Sequence, residues 1–188
     1  GGSSGDGPVP EECAHSKLLW ASGHPARRVP ARAGRSETRQ PMTNEVRVVT
    51  AFLRHGGEIL VLRRGERVGS YRGRWAAVSG FLEGPDPLAQ ALREVEEETG
   101  VARADLRLVR AGAPLAVEDA SLGRRWVVHP FLFDLADRPA IRLDWEHTAY
   151  RWVRPEGLAG LPTVPSLAAA LRACWPEPGG ERGEDRKD

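Results

Sequence analysis

The chain has 188 residues, with 27 Lys plus Arg against 26 Asp plus Glu and a formal net charge of +1. That length suffices for one domain with a sizeable core, and the even charge balance gives no strong case for nucleic-acid or membrane-surface binding. Cys13 and Cys174 are the two cysteines; so far apart, they make neither a disulfide framework nor a zinc spacing and fit a reducing compartment, read here as the cytoplasm.

Residues 1–43 are rich in Gly, Ser, Pro and Arg without sustained periodicity and read as a disordered extension. Met42 stands at the onset of regular pattern, and the expectation is that the native chain starts there, after an over-extended start. The domain is expected over 44–175. EVRVVTAFLR (45–54) is β-branched and partly alternating, as a strand requires. His55-Gly56-Gly57 is a turn and EILVLRR the returning strand. After an Arg/Gly-rich loop, WAAVSGFLE reads as a third, buried strand, and 87–99 as a helix. Strands follow at 106–117 and 125–135, joined as a hairpin around Ser121-Leu122-Gly123, with short strands near 140–143 and 148–153. VPSLAAALRACW (164–175) has helical composition, and 176–188 reads as a disordered tail. Strands, helix, strands, helix is the order of a mixed sheet with helices packed on it. No apolar run approaches the ~18 residues of a membrane span.

The first helix is well bounded. Asp86 can cap it, Pro87 suits its first position and Gly100 can close it in a left-handed cap. With Glu94 at zero on a helical wheel, Glu97 falls near ~300° and Glu98 near ~40°, so three carboxylates share one stripe. Leu88, Ala91, Leu92 and Val95 form the neighbouring apolar stripe that faces the sheet, and Glu96 falls off both, into water. Like charges ~5 Å apart repel by roughly 3 kcal/mol at an effective dielectric of 20. A hard divalent cation, Mg²⁺ or Mn²⁺, would relieve several at once. On spacing alone, an ordinary solvated Glu/Arg helix stays open as the alternative.

Gly80-Phe81-Leu82-Glu83-Gly84, followed by Arg93-Glu94-Val95-Glu96-Glu97-Glu98-Thr99-Gly100-Val101, resembles the Nudix box. The second half agrees at every specified position. The upstream strands and WEHTAYRWV (145–153) also look like that family's domain. One departure stands out: the interval from Gly80 to Arg93 is one residue short. The box's first glutamate therefore falls at Pro85 or at Asp86, and its role is left unassigned.

The resemblance implies an α/β/α sandwich around a mixed sheet, and Mg²⁺-dependent (or Mn²⁺-dependent) hydrolysis of a nucleoside diphosphate linked to another moiety X. By motif position, Glu94, Glu97, Glu98 and the Gly80 carbonyl would hold metal, and Arg93 would orient the glutamates. Glu97 or Glu94 is the first choice of general base, with Glu118, Asp119 and Glu146 as outside candidates. Arg63, Arg64, Arg72 and Arg74 are candidates to meet phosphates, although a solvated arginine is the ordinary reading of each. Trp126 is a candidate to stack on a base, Glu146 to contact substrate, and Trp75 reads as core. His55, His129 and His147 show no metal spacing and are read as structural; Ser70 and Ser79 lack the constellation of a covalent nucleophile. A non-catalytic nucleotide-binding module is the alternative. A diphosphate isomerase would need a site cysteine that neither Cys13 nor Cys174 supplies. ADP-ribose, dinucleotide polyphosphates, nucleoside triphosphates, nucleotide sugars and capped RNA all stay open as substrates, and a homodimer is left open.

Overall fold

In the computed structural model, the described residues are 44–176; the expected extension over 1–43 and nearly all of the expected tail lie outside them. Eight strands form one sheet: β1 (Asn44–His55), β2 (Glu58–Arg64), β3 (Trp75–Ala76), β4 (Val78–Phe81), β5 (Leu106–Ala111), β6 (Leu115–Asp119), β7 (Arg124–Leu135) and β8 (His147–Val153). Helix α1 spans Pro87–Thr99 and α2 spans Leu167–Cys174, with short 3₁₀ turns at Arg103–Asp105 and Pro155–Gly160. The sheet is mixed: β1 and β7 run parallel, and the remaining pairings are antiparallel.

Period-two alternation sorts the strand residues onto two faces. Val49, Ala51 and Leu53 of β1 face one side with Leu60, Leu62 and Phe133, and there Ala91, Leu92 and Val95 of α1 pack on them. Phe52, Ile59, Val61 and Leu132 face the other side, covered by Leu167, Ala170, Leu171 and Cys174 of α2. One helix thus seals each face, which is the expected sandwich. Each fully buried Val, Leu or Phe contributes on the order of 1.5–3 kcal/mol.

The β1–β2 hairpin turns at Gly56 and Gly57, both at positive φ (57° and 80°), where a side chain is disfavoured. It stays paired only near its tip, Arg54 with Ile59 and His55 with Glu58. Beyond that point the strands diverge and the third expected strand is wedged between them. It is not continuous: β3 pairs with β2, β4 pairs with β1, and the break falls at Ala77, where the chain changes partner. The 106–117 strand is also divided. At Gly112 an added Cβ would meet the Ala173 carbonyl oxygen at 2.6 Å, and Pro114 has no N–H for a ladder, so the segment bends before β6 resumes. The short strand expected near 140–143 does not form. Those residues run past the end of α1, where Arg142 N–H donates to Thr99 O (2.9 Å) while Ile141 and Leu143 pack on the core. The second helix starts later than its composition suggests, after Pro165 and Ser166 at φ 66°. Among the described residues no helix is long and apolar enough to cross a membrane.

Candidate active site

The site lies where β4 leaves the splayed hairpin and runs into α1. Asp86 accepts hydrogen bonds from the Leu88 and Ala89 N–H groups (3.0 and 3.1 Å), Pro87 opens the helix, and Gly100 closes it at φ 71° with its N–H on Glu96 O. These ends fix the helical phase, and the carboxylates fall as the wheel predicts. Glu94 and Glu98 are buried (8 % and 2 % exposed), Glu97 is half-buried and Glu96 is exposed.

Glu94 lies directly against Gly80. A Cβ on Gly80 would stand 2.1 Å from the Glu94 carboxyl carbon and 2.2 Å from its Oε1, so only glycine leaves room for that side chain. Gln90, one turn earlier and buried, donates through Nε2 to Glu94 Oε1 at 2.7 Å. Arg93 Nη2 in turn donates to Gln90 Oε1. Arg93 also meets Glu83 of the shortened loop at 3.6 Å. Of the two positions to which the box's first glutamate falls, Pro85 has no carboxylate, and Asp86 is used as the helix cap.

Glu98 points the other way along the stripe. His147, at the start of β8, is buried with Nε2 3.8 Å from Glu98 Oε2 and Nδ1 3.0 Å from Asp144 Oδ1. Asp144 also accepts from the Glu146 N–H at 3.0 Å, which holds the 144–147 turn. Glu146 is buried, and its carbonyl accepts from Gly65 N–H at 2.7 Å. Arg64 is buried nearby and donates through Nε to Ser70 O at 3.0 Å. Burial pulls its pKa down, while Glu98 and Glu146 act to raise it.

Arg64 also lines a small cavity of about 90 Å³ with Trp126, Tyr71, Thr50, Ser79 and Val128. Trp126 is buried there and Arg124 stacks over its ring at 5.6 Å. Tyr71 holds a left-handed backbone (φ 53°), unusual for a bulky residue, and its hydroxyl donates to Asp119. Asp119 further accepts from Ser121 N–H and Oγ–H and from Leu122 N–H. It is thus the organiser of the β6–β7 turn, and the Ser121 and Tyr71 hydrogen bonds hold its carboxyl below the usual range. Glu118 is exposed and pairs with Arg125 at 3.4 Å. Arg63, Arg72 and Arg74 are exposed and donate to the carbonyls of Gly73, Val68 and Thr163. Trp75 is a core residue, as expected.

Among the described residues no three His, Cys, Asp or Glu side chains are gathered closely enough to hold a metal ion between them. Glu94 is drawn to Gln90 and Glu98 toward His147, as mutually repelling carboxylates would be. The donor set nonetheless fits a hard divalent cation. It is all oxygen, it lies along one edge of one helix, and the missing Cβ of Gly80 brings backbone and Glu94 carboxyl together at van der Waals range. Of the residues gathered here, the sequence left Gln90 unread, offered Arg64 for phosphates with a solvated arginine as its ordinary reading, and read His147 as structural. Gln90 looks like a neutral helix position, and Arg64 looks like its exposed neighbour Arg63. The approach of His147 to Glu98 left no mark in the sequence, because the two are remote in the chain, although its other partner, Asp144, is local.

With this geometry in view, the NUDIX domain family model matches residues 43–174. The chain belongs to that family and, as a member, is a hydrolase acting on pyrophosphate bonds. The fold agrees with several solved structures. A MutT protein from Methanosarcina mazei Go1 is 25% identical with a TM-score of 0.57, over 70% of this chain and 93% of that one. An Ap4A hydrolase from C. elegans, in a binary complex, is 22% identical with a TM-score of 0.55, over 68% and 93%. The E. coli dihydroneopterin triphosphate pyrophosphohydrolase is 23% identical with a TM-score of 0.55, over 68% and 92%.

Proposed function

We propose that this chain hydrolyses a nucleoside diphosphate linked to another moiety, with Mg²⁺ or Mn²⁺ held by Glu94, Glu97, Glu98 and the Gly80 carbonyl. The observation that carries the reading is the seating of the Glu94 carboxyl on Gly80, which joins the loop glycine to the acidic helix. When bound, the metal neutralises diphosphate charge and acidifies a bound water.

The protein's own residues supply the rest. Gln90 and Gly80 hold Glu94 in one position, as a metal-binding side chain requires. Glu97 is the least buried of the three box carboxylates, and we assign it the proton from the attacking water. Buried Arg64 offers a fixed positive charge between the acidic helix and the cavity, suited to phosphate oxygens. Trp126 and Tyr71 give that cavity the aromatic walls on which a planar base can rest. Nucleoside-containing anhydrides are therefore the substrate class; the name of the Ap4A hydrolase belongs to that chemistry, and that of the dihydroneopterin triphosphate enzyme shares its phosphoanhydride bond.

The test is a panel of purified diphosphates incubated with Mg²⁺ or Mn²⁺, with products separated by mass. Cleavage should require the metal, stop with a chelator and vanish in Glu98→Gln. Undiminished turnover in that variant overturns the assignment. Tight nucleotide binding without turnover in the wild-type chain would turn the reading to a binding module.

A further inference from the structure

We infer that Gln90 is a positioning residue that transmits the hold of Arg93 to Glu94 without bringing its charge to the metal position. The inference rests on the metal reading above.

The geometry is a three-membered chain on one face of α1. Arg93 Nη2–H donates to Gln90 Oε1, Gln90 Nε2–H donates to Glu94 Oε1 at 2.7 Å, and the Glu94 carboxyl rests on Gly80. Gln90 is 3 % exposed, so its bond to Glu94 is closed to water, while its bond to Arg93 is part-buried and Arg93 itself reaches the surface. Gln90 lies three residues before Arg93 and four before Glu94, the two spacings at which helix side chains meet.

An amide is well suited to this position. It offers an acceptor to a guanidinium and a donor to a carboxylate at once, and carries no net charge. A guanidinium bonded directly to Glu94 would neutralise the very charge that a divalent cation needs, and would repel that cation. With the amide between them, Arg93 fixes the rotamer of Gln90, Gln90 fixes Glu94, and the positive charge is held one side chain further away. A carboxylate has about four lone-pair sites on its two oxygens, so an amide bond does not use up its capacity as a ligand.

The experiment measures Mn²⁺ affinity of the full chain by calorimetry, alongside thermal melting, for wild type, Gln90→Met and Gln90→Glu. Methionine keeps the volume and loses both hydrogen bonds; glutamate keeps the acceptor for Arg93 and sets a like charge against Glu94. The expected result is about tenfold weaker Mn²⁺ binding in Gln90→Met, the lower end of what outer partners of metal ligands contribute, with folding retained. Gln90→Glu should also bind less tightly, or recruit the added carboxylate and change the stoichiometry. Combining Gln90→Met with Arg93→Ala should cost no more affinity than the worse single change, because both break one chain; a purely structural role for Gln90 would give additive losses. Wild-type affinity in both single variants overturns the inference alone. A wild-type chain that binds no Mn²⁺ and cleaves no diphosphate overturns the metal reading, and this inference with it.

Discussion

The Glu94 carboxyl lies on the α-carbon of Gly80, with its carboxyl carbon 2.1 Å from where a Cβ would be. Gly80→Ala therefore cannot be accommodated with Glu94 in place. The carboxylate is the part that moves, because the backbone of β4 is held by its ladder to β1. The expected outcome is a stability loss of about 1–3 kcal/mol, the usual range for an overpacked site, with a fall in turnover of roughly a hundredfold, the scale of a 1 Å misplacement. Denaturant melts beside kcat measurements separate the two effects; a full loss of folding would contradict the expectation.

Tyr71 and Asp119 tie the loop after β2 to the β6–β7 turn. Tyr71→Phe removes the hydroxyl but leaves Asp119 its bonds from Ser121 and Leu122. The cost should be about 1.5–3 kcal/mol, that of one hydrogen bond to a charged acceptor. Tyr71→Gly should cost more than Tyr71→Phe, since the ring that walls the cavity is lost with the hydroxyl, although glycine accepts φ 53° without strain. Chemical denaturation of the two variants checks the order.

Asp134 accepts from Arg54 and Arg107, and the Arg54 hydrogen bond holds its carboxyl below the usual range. A depressed carboxylate stabilises the fold above the unfolded pKa near ~3.9 and loses that contribution as pH falls through the lower folded value. His129 behaves differently. Burial first, and the charge of Arg47 second, pull its pKa down, so the folded chain resists protonation. Its effect is a loss of stability as pH falls below about 6.5. Melting curves across pH should show two separate declines. His129→Gln should erase the one that sets in below about pH 6.5, and Asp134→Asn should flatten the one below about pH 4.

Burial pushes the Cys174 thiol up to about 12, within the α2 core. A thiol so held has almost no thiolate at neutral pH. Mass-resolved alkylation should label Cys174 only after unfolding. Labelling of the native chain at the rate of a free thiol would revive the cysteine-dependent isomerase reading.

The helix that carries the candidate site was readable because its punctuation is local. Asp86, Pro87 and Gly100 set its ends, and a fixed 100° per residue then set every carboxylate. What surrounds those carboxylates was not readable, because it depends on partners that the fold brings in from far along the chain. His147 reaches Glu98 across 49 residues, and Arg64 across 34. Gln90 is near in sequence, yet nothing in a polar helix residue announces that its amide is buried. Strand composition gave the right segments apart from 140–143, which forms no strand, and pairing decided where the others break. WAAVSGFLE divides at Ala77 because the splayed hairpin offers it two different neighbours in succession.

The parallel β1–β7 ladder joins residues about eighty positions apart, Val48 beside Val128 and Ala51 beside Phe131. Such a pairing is entropically slow to close. During synthesis the hairpin, the acidic helix and the strands that follow it must all emerge before Asp134, opposite Arg54, can complete the ladder. Until then one long edge of β1 stands open, an invitation to pair with another nascent chain. Slow refolding with concentration-dependent aggregation is therefore written into this topology, and a chaperone that shields that edge would raise the yield.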